Sequence, residues 1–213
     1  MTKAQAPGAG RGGLSLDADG WVAGIVRRSS PHADERPAGV DIGLVVIHGI
    51  SLPPGEFGGP WIEALFTGRL DPDAHPYFAA IRDVRVAPHL LVRRGGEIVQ
   101  FVSCLRRAWH AGRSSWRGRV ECNDYSVGIE LEGDDETPYA EAQYAALARL
   151  IPALRDAYPD IGAEGIAGHA DVAPGRKTDP GPAFDWGRLG DDLAAAGYNL
   201  RRRPTPEREG FRA

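Results

Sequence analysis

The segment VDIGLVVIH, residues 40–48, decides the fold class of this chain. Val40 to Ile47 form a nearly continuous apolar run rich in β-branched side chains, which predicts a strand that is buried on both faces and ends at His48. Residues 51–60, SLPPGEFGGP, are too rich in proline and glycine for a helix or a strand. The sequence therefore predicts a central strand followed by a long loop.

A second strand is expected at residues 125–132, YSVGIELE, because apolar and polar side chains alternate strictly there. The face directed at the core would comprise Tyr125, Val127, Ile129 and Leu131. The opposite face would comprise Ser126, Gly128, Glu130 and Glu132. This strand therefore carries two carboxylates on its polar side.

Turn signals and helical spacing predict the remaining elements. Gly95-Gly96, between residues 89–94 and 97–103, indicates a hairpin with a two-residue turn. A short helix is expected from Pro60 to about Phe66, a short strand at residues 165–169, and a last helix around residues 186–196. A long amphipathic helix is predicted from the spacing of Tyr144, Leu147, Ile151, Leu154 and Tyr158.

These elements indicate an α/β protein of the α+β type, with a mixed central β-sheet flanked by helices. The chain has 213 residues, enough for one sizeable core. Residues 1–20 lack apolar periodicity and are expected to form a flexible lead-in, whereas 21–200 would form the single catalytic domain. Residues 201–213 would form a basic tail.

Composition narrows the class of partner. The 25 basic and 29 acidic residues give a net charge of -4, too mild and evenly spread for an electrostatic nucleic-acid binder. The sequence contains no signal-peptide core and no stretch that could span a bilayer, so a cytoplasmic protein with no membrane partner is expected. A small-molecule substrate and a monomeric state are expected as well. Cys104 and Cys122 would then be free thiols rather than a disulfide or a zinc site.

Two histidines are candidates for metal ligands. His48 and His169 each lie where an apolar strand gives way to a loop containing Gly and Pro. In RKTDPGP, Pro180 restricts the backbone of Asp179, and Lys177 would point to the same side as Asp179 in an extended segment. Two imidazoles and one carboxylate leave a fourth tetrahedral position open, which is typical of catalytic zinc. Taken singly, each residue is also compatible with a structural histidine or a surface ion pair.

A proton-transfer group is less well determined by the residues alone. Glu130 and Glu132 share the polar face of their strand, and either carboxylate could take a proton from an attacking water molecule. Periodicity does not choose between them. Either could also be a solvated residue.

The segments around these residues resemble the zinc-dependent N-acetylmuramoyl-L-alanine amidases of the type 2 amidase fold, which are related to peptidoglycan recognition proteins. The resemblance spans roughly residues 42–186. The segments that carry it are VVIHGISLPPGEFGGPWIEALF (45–66), RRGGEIVQFV (93–102), RAWHAG (107–112), CNDYSVGIELEG (122–133), YPDI (158–161) and GHADVAPGRKTDPGPAFDW (168–186).

The resemblance implies roles for individual residues. It implies that one zinc ion is bound by His48, His169 and Asp179. It implies that Glu130 is the proton acceptor and that Lys177 stabilises the transition state.

The resemblance also implies a substrate. The bond cleaved would join the lactyl group of (1,6-anhydro)-N-acetylmuramic acid to L-alanine, in the cytoplasmic recycling of muropeptides. Arg85, Ala108 and Trp109 fall where the family contacts substrate, whereas His110 has no implied role. Two positions depart from the expected pattern, because Gly49 replaces a polar residue and Glu121 replaces an arginine.

Two other functional classes compete with the amidase. A recognition protein of the same fold would bind muropeptides without cutting them, but such proteins generally lack a complete set of zinc ligands. A serine or cysteine hydrolase is suggested by Ser114 and Ser115 near His110 and by the free thiols, although no nucleophile-elbow motif supports it. Sensitivity to a chelator separates the metal-dependent mechanism from this last one.

Overall fold

A six-stranded mixed β-sheet forms the centre of the molecule in the computed structural model, which describes residues 13–201. Its strands are β1 (Val26–Arg27), β3 (Leu44–Ile50), β4 (Leu90–Val92), β5 (Ile98–Gln100), β9 (Ser126–Glu132) and β10 (Ile166–Gly168). Two short antiparallel pairs lie outside it, namely β2 (Ala33–Glu35) with β6 (Arg106–Ala108) and β7 (Ser115–Trp116) with β8 (Arg119–Val120). The order in the large sheet is β1-β5-β4-β9-β3-β10.

Helices flank this sheet, as the sequence predicts. They are α1 (Trp61–Phe66), α2 (Pro76–Ile81), α3 (Glu141–Ala157), α4 (His169–Val172) and α5 (Trp186–Ala195), with a 3-10 turn at Cys122–Asp124. The sequence predicts α1, α3 and α5 but neither α2 nor the single turn α4. Within residues 13–201, no helix combines the length and apolar character needed to cross a bilayer.

Strand β3 is the central element, but its limits differ from the predicted ones. It pairs in parallel with β9 on one side and with β10 on the other, so it is buried on both faces as expected. It begins at Leu44, and it continues past His48 because Gly49 and Ile50 still pair with β9. His48 therefore lies within the strand rather than at its end, where backbone pairing fixes its direction.

The predicted hairpin is formed by β4 and β5, with a longer turn than expected. Val92 pairs with Ile98, and the Arg93 amide donates to the Glu97 carbonyl at 2.9 Å. Three residues therefore form the turn instead of two. Gly96 closes it with a φ of 87°, which favours glycine because it has no Cβ.

The largest apolar core lies between the sheet and the layer of α3 and α5. Leu14 and Leu16 belong to this core and are buried, and Leu16 forms a β-bridge with Val22. The expectation of a flexible lead-in up to residue 20 is therefore wrong from Leu14 onward, because these leucines find apolar partners that their short segment does not reveal. Residues 1–12 and 202–213, the rest of the expected lead-in and nearly all of the basic tail, lie outside the described residues.

Strand β9 is buried on both faces, although alternation suggests a solvated polar side. Ser126, Gly128 and Glu132 are all buried because β9 lies between β4 and β3 in the middle of the sheet. The alternation itself is correct, since Val127, Ile129 and Leu131 pack in the main core. The polar face of β9 thus points into the interior, where its groups need specific partners.

Candidate active site

An open cavity of about 660 Å³ lies at the carboxyl ends of three adjacent parallel strands, β9, β3 and β10. This edge is where open α/β sheets commonly bind ligands, because the strand ends and following loops converge there. Its lining includes Glu130, His169, Lys177 and Asp179. The topology thus gathers residues from distant parts of the chain.

The three predicted metal ligands meet in this region. His48 comes from β3, His169 is the first residue of α4, and Asp179 follows in the loop before α5. The Nδ1 atoms of the two histidines are 2.9 Å apart, and Asp179 Oδ2 lies 3.0 Å from that of His169 and 3.2 Å from that of His48. They are the group among the described residues that could hold a metal ion.

The hydrogen bonds of His169 indicate what this triangle can accept. Its Nε2 lies 3.2 Å from the Ala111 carbonyl oxygen, so Nε2 carries the hydrogen in the neutral ring. The opposite tautomer would set two lone pairs against each other. His169 Nδ1 therefore presents a lone pair to His48 and Asp179, and this lone pair beside a carboxylate oxygen suits a bound cation.

Burial disfavours the protonated forms of His48 and His110. The pKa of His48 is lowered to about 4, chiefly by loss of solvation and also by neighbouring His169, while the hydrogen bond to Asp179 opposes the shift. Burial also lowers the pKa of His110 well below its ordinary value. Neutral histidine is the form that binds metals, so this environment fits a metal centre.

The structure distinguishes Glu130 from Glu132. Glu130 is the direct register partner of His48, lines the cavity, and among residues 13–201 its buried Oε2 has no hydrogen-bond partner. Burial, with a smaller contribution from the charge of Asp179, raises the pKa of Glu130 well above its ordinary value. A buried carboxyl with a free oxygen and a raised pKa is suited to proton transfer.

Glu132 has a structural environment instead. It is 2% exposed and accepts hydrogen bonds from the backbone amides of Gly58 at 2.6 Å and Arg94 at 3.1 Å. Arg93 Nη1 adds a charged contact at 3.3 Å. Glu132 therefore ties the loop after β3 to the β4–β5 hairpin and has no oxygen free for chemistry.

Lys177, Thr178 and Asp179 all line this cavity, and the shared orientation of Lys177 and Asp179 stays a prediction. Its neighbour Arg176 also lines this cavity, and its guanidinium donates to the carbonyl oxygens of Ala111 at 2.6 Å and Arg113 at 2.7 Å. Lys177 thus adds a positively charged side chain to a cavity that five carboxylate residues also line, namely Glu130, Asp134, Asp135, Glu136 and Asp179.

The three predicted substrate contacts are placed differently. Arg85 and Trp109 line a second cavity of about 530 Å³. Ala108 is fully buried in an apolar cluster and lines neither of these cavities. The roles of all three residues in substrate binding stay predictions.

The departure at Gly49 has a structural reason in this chain. A Cβ there would collide with the Tyr139 hydroxyl, which donates to the Pro180 carbonyl at 3.0 Å. Gly49 thus makes room for a bond that holds the residue after Asp179. The other departure, Glu121, adopts a left-handed conformation with a φ of 57° just before the 3-10 turn.

The thiols and Ser114 are unsuited to nucleophilic catalysis. Cys104 and Cys122 are free, as expected, but both are buried, and burial raises the pKa of Cys104 to about 12. Burial likewise raises the pKa of Cys122. The Ser114 hydroxyl donates to the Gly112 carbonyl at 2.9 Å. These environments argue against Cys104, Cys122 and Ser114 as the nucleophile of a serine or cysteine hydrolase.

Fold and site together define a class of protein, namely an α/β protein with a candidate metal centre and a buried acid at the carboxyl edge of its sheet. Comparisons with known proteins specify the class further. The family model described as N-acetylmuramoyl-L-alanine amidase matches residues 38–182. The chain belongs to this family of amidases.

Individual relatives agree with this assignment. The 1,6-anhydro-N-acetylmuramyl-L-alanine amidase AmpD of Escherichia coli K12 is 60% identical over 170 residues, covering 80% of this chain and 92% of that protein. A crystal structure of a selenomethionine AmpD derivative matches with a TM-score of 0.80 and 57% identity, covering 85% of this chain and 98% of the other.

A more distant structure is that of E. coli AmiD, described as a complex with the substrate anhydro-N-acetylmuramic acid-L-Ala-D-γ-Glu-L-Lys. It matches with a TM-score of 0.54 and 31% identity, over 88% of this chain and 67% of the other.

Two residues that contact the candidate site, His110 and Tyr139, have no functional role predicted from the sequence. His110 lines the cavity and lies beside His48, and Tyr139 holds the backbone next to Asp179. Neither has a local sequence signal, since their partners lie 62 and 41 positions away.

Proposed function

We propose that the protein is a zinc-dependent amidase that hydrolyses the bond between the lactyl group of N-acetylmuramic acid and L-alanine. The observation that carries this proposal is the triangle of His48 Nδ1, His169 Nδ1 and Asp179 Oδ2 beside the unpartnered oxygen of Glu130. Two imidazoles and one carboxylate, with a further position open, are a catalytic zinc set. The names of the relatives supply the bond that is cleaved.

The zinc would be held by His48, His169 and Asp179. When bound, it would polarise the scissile carbonyl and lower the pKa of a water molecule. Each ligand is positioned by a different element, and His169 is additionally oriented by its Nε2 contact with the Ala111 carbonyl.

Glu130 would move the proton. Its carboxylate takes a proton from the attacking water as the carbon–oxygen bond forms, and then delivers that proton to the departing alanine nitrogen. Its raised pKa suits both steps, because the group must accept a proton and release it again. Its register pairing with His48 supports a position near the proposed metal ligands.

Lys177 would stabilise the oxyanion that develops on the carbonyl oxygen. Its ammonium lines the same cavity, where a fixed positive charge favours the tetrahedral state over the planar amide. Removing one such donor typically costs about 3 kcal/mol of transition-state stabilisation. A methionine at this position would retain the side-chain length but remove that charge.

The proposed substrate is an anhydromuropeptide, with recycling in the cytoplasm as the biological role. The relative named for the 1,6-anhydro sugar is 60% identical, and a more distant relative carries an anhydromuramyl tripeptide in its structure. A cavity of about 660 Å³ is in the range of small-ligand sites. Arg85, Ala108 and Trp109 are proposed as further substrate contacts.

One experiment tests this proposal directly. The purified protein is assayed for zinc by elemental analysis and incubated with anhydro and reduced muropeptides in parallel, and the released peptide is detected by mass spectrometry. We expect stoichiometric zinc, peptide release, loss of activity with a chelator and recovery with zinc. Binding without peptide release would instead support the recognition protein, and activity unaffected by the chelator would refute the metal mechanism.

A further inference from the structure

A chain of buried hydrogen bonds leads from His48 through His110 to Ser126. His48 Nε2 lies 2.9 Å from His110 Nδ1, and His110 Nε2 lies 3.1 Å from Ser126 Oγ. Ser126 in turn donates to the Cys122 carbonyl at 2.6 Å. All three side chains are buried, with at most 8% exposure.

The directions of these bonds follow from the hydrogens available. The Ser126 hydroxyl has one hydrogen, which goes to the Cys122 carbonyl, so its oxygen accepts from His110 Nε2. The neutral His110 ring then has a lone pair on Nδ1, which accepts the Nε2 hydrogen of His48. His48 Nδ1 consequently carries a lone pair, and this is the atom that faces His169 and Asp179.

We propose that His110 and Ser126 are positioning residues that fix the tautomer and the ring orientation of His48 for metal binding. The inference rests on the proposed zinc site, and it assigns a role to two residues outside the ligand set. Partners of this kind matter because a ligating histidine must present an unprotonated nitrogen to the metal.

The packing around His110 supports a fixed ring. A Cβ on Gly128 would collide with the His110 imidazole, so the glycine provides the space in which the ring lies. His89 fixes this part of β9, because its Nδ1 accepts the Gly128 amide at 3.0 Å and its ring lies edge-on to His110. The His48 and His110 rings are also nearly perpendicular, at 87°. His110 therefore has little freedom to rotate away from His48.

Three substitutions separate the parts of this chain. Ser126→Ala removes the acceptor for His110 Nε2. His110→Asn keeps an amide oxygen able to accept from His48 but loses the reach to Ser126, whereas His110→Leu removes both bonds. Ser114→Ala is the matched control, because Ser114 is also buried and bonds the same turn through the Cys122 amide at 3.1 Å, without contacting a histidine.

The zinc dissociation constant is measured by competition with a chromogenic chelator on folded protein, as judged by circular dichroism. We expect Ser126→Ala and His110→Leu to weaken binding about 10- to 100-fold, the range typical of lost partners of metal ligands. His110→Asn should fall between His110→Leu and the wild type, and Ser114→Ala should match the wild type.

The second readout is the imidazole tautomer, measured by nitrogen-15 NMR on metal-free protein, which a general loss of stability would not change selectively. In the wild type, His48 should carry its hydrogen on Nε2, and in Ser126→Ala it should become a mixture of tautomers. Wild-type affinity in folded His110→Leu, or an Nδ1 hydrogen on wild-type His48, would overturn the inference. Should His110→Leu not fold, wild-type affinity in Ser126→Ala would overturn it equally.

A failure of the positioning role can be distinguished from a failure of the proposed amidase function. A wild-type protein that binds no zinc refutes both proposals. A wild-type protein that binds zinc and releases peptide, together with unaltered zinc affinity in the Ser126 and His110 variants, refutes only the positioning role.

Discussion

Glu130 and Glu132 lie two residues apart on the same face of β9, and the same substitution should affect them in opposite ways. Glutamine keeps the size of either side chain but removes its charge and its ability to accept a proton. Glu130→Gln should therefore remove catalysis and leave the fold intact. Glu132→Gln should weaken the fold and leave the chemistry intact.

The size of each effect follows from the contacts. Proton transfer by a positioned group typically contributes about 10²- to 10⁴-fold to rate, so kcat of Glu130→Gln should fall by about that factor. Its free energy of unfolding should not decrease, because a buried carboxyl whose Oε2 lacks a hydrogen-bond partner among residues 13–201 is replaced by a neutral amide. Zinc content should equal that of the wild type.

Glu132→Gln changes a site where both carboxylate oxygens are used. One oxygen accepts from Gly58 and Arg93 and the other from Arg94, so the new amide group must face a buried donor. Leaving such a donor unsatisfied costs about 1–3 kcal/mol. The larger cost of an isolated buried charge does not apply, because Arg93 keeps its ion pair with Glu63 at 2.7 Å.

Urea unfolding, steady-state hydrolysis of an anhydromuramyl tripeptide and zinc analysis on the same preparations measure all three quantities. A Glu130→Gln protein that retains wild-type kcat would refute the role of this carboxyl. A Glu132→Gln protein that keeps its stability but loses kcat would show that the wrong glutamate has been chosen.

Three further predictions follow from individual contacts. Gly49→Ala should lower the free energy of unfolding, measured in urea, by about 1–3 kcal/mol, because the new methyl group collides with the Tyr139 hydroxyl. Adding Tyr139→Phe to this variant should restore most of the loss, since the next-nearest atoms, on Pro180 and the Tyr139 ring, are 3.6 Å from the methyl position. An equal loss from Gly49→Ala with tyrosine or phenylalanine at position 139 would contradict the clash. Hydrogen bonds from Arg107 hold the pKa of Asp34 below its ordinary value. The pair therefore stabilises the folded protein at pH values above the ordinary pKa of Asp, and this stabilisation is lost as the pH falls through the lowered pKa of the folded state. Asp34→Asn should accordingly lower the melting temperature at neutral pH and converge with the wild type in acid; a constant difference would count against the assignment. Asp179→Asn should weaken zinc binding at least about tenfold in equilibrium dialysis, because a neutral amide replaces the anionic ligand; unchanged zinc affinity would exclude Asp179 from the ligands.

The sequence is most informative where a local pattern has a single structural solution. The apolar run before His48 has to be an interior strand. In this sheet that strand, β3, pairs in parallel with β10, and His169 directly follows β10, so the two histidines come from neighbouring strands. Likewise, the spacing of Tyr144, Leu147 and Leu154 suffices to predict α3 and its packing on the sheet. The fold class and the candidate metal ligands can therefore be predicted from the sequence alone.

What could not be predicted depends on contacts between distant segments. Leu14 and Leu16 look like part of a mobile segment until the core that buries them is known. The choice between Glu130 and Glu132 rested on resemblance alone, because alternation places both on one face. The difference lies in their hydrogen-bond partners, because the loop after β3 and the β4–β5 hairpin hold the Glu132 carboxylate, whereas Glu130 Oε2 has no partner among residues 13–201.

The polar face of β9 shows how one strand supports the whole candidate site. Because side chains on one face recur every second residue, Ser126, Gly128 and Glu130 project successively toward the same region. Ser126 bonds His110, Gly128 leaves the space that the His110 ring occupies, and Glu130 pairs in register with His48 and reaches the cavity. A one-residue shift in the pairing of β9 with β3 would turn the side chains of Ser126 and Glu130 to the apolar core. The register that the hydrophobic face of β9 enforces for stability is therefore the same register that aligns the proposed base with the proposed metal ligands.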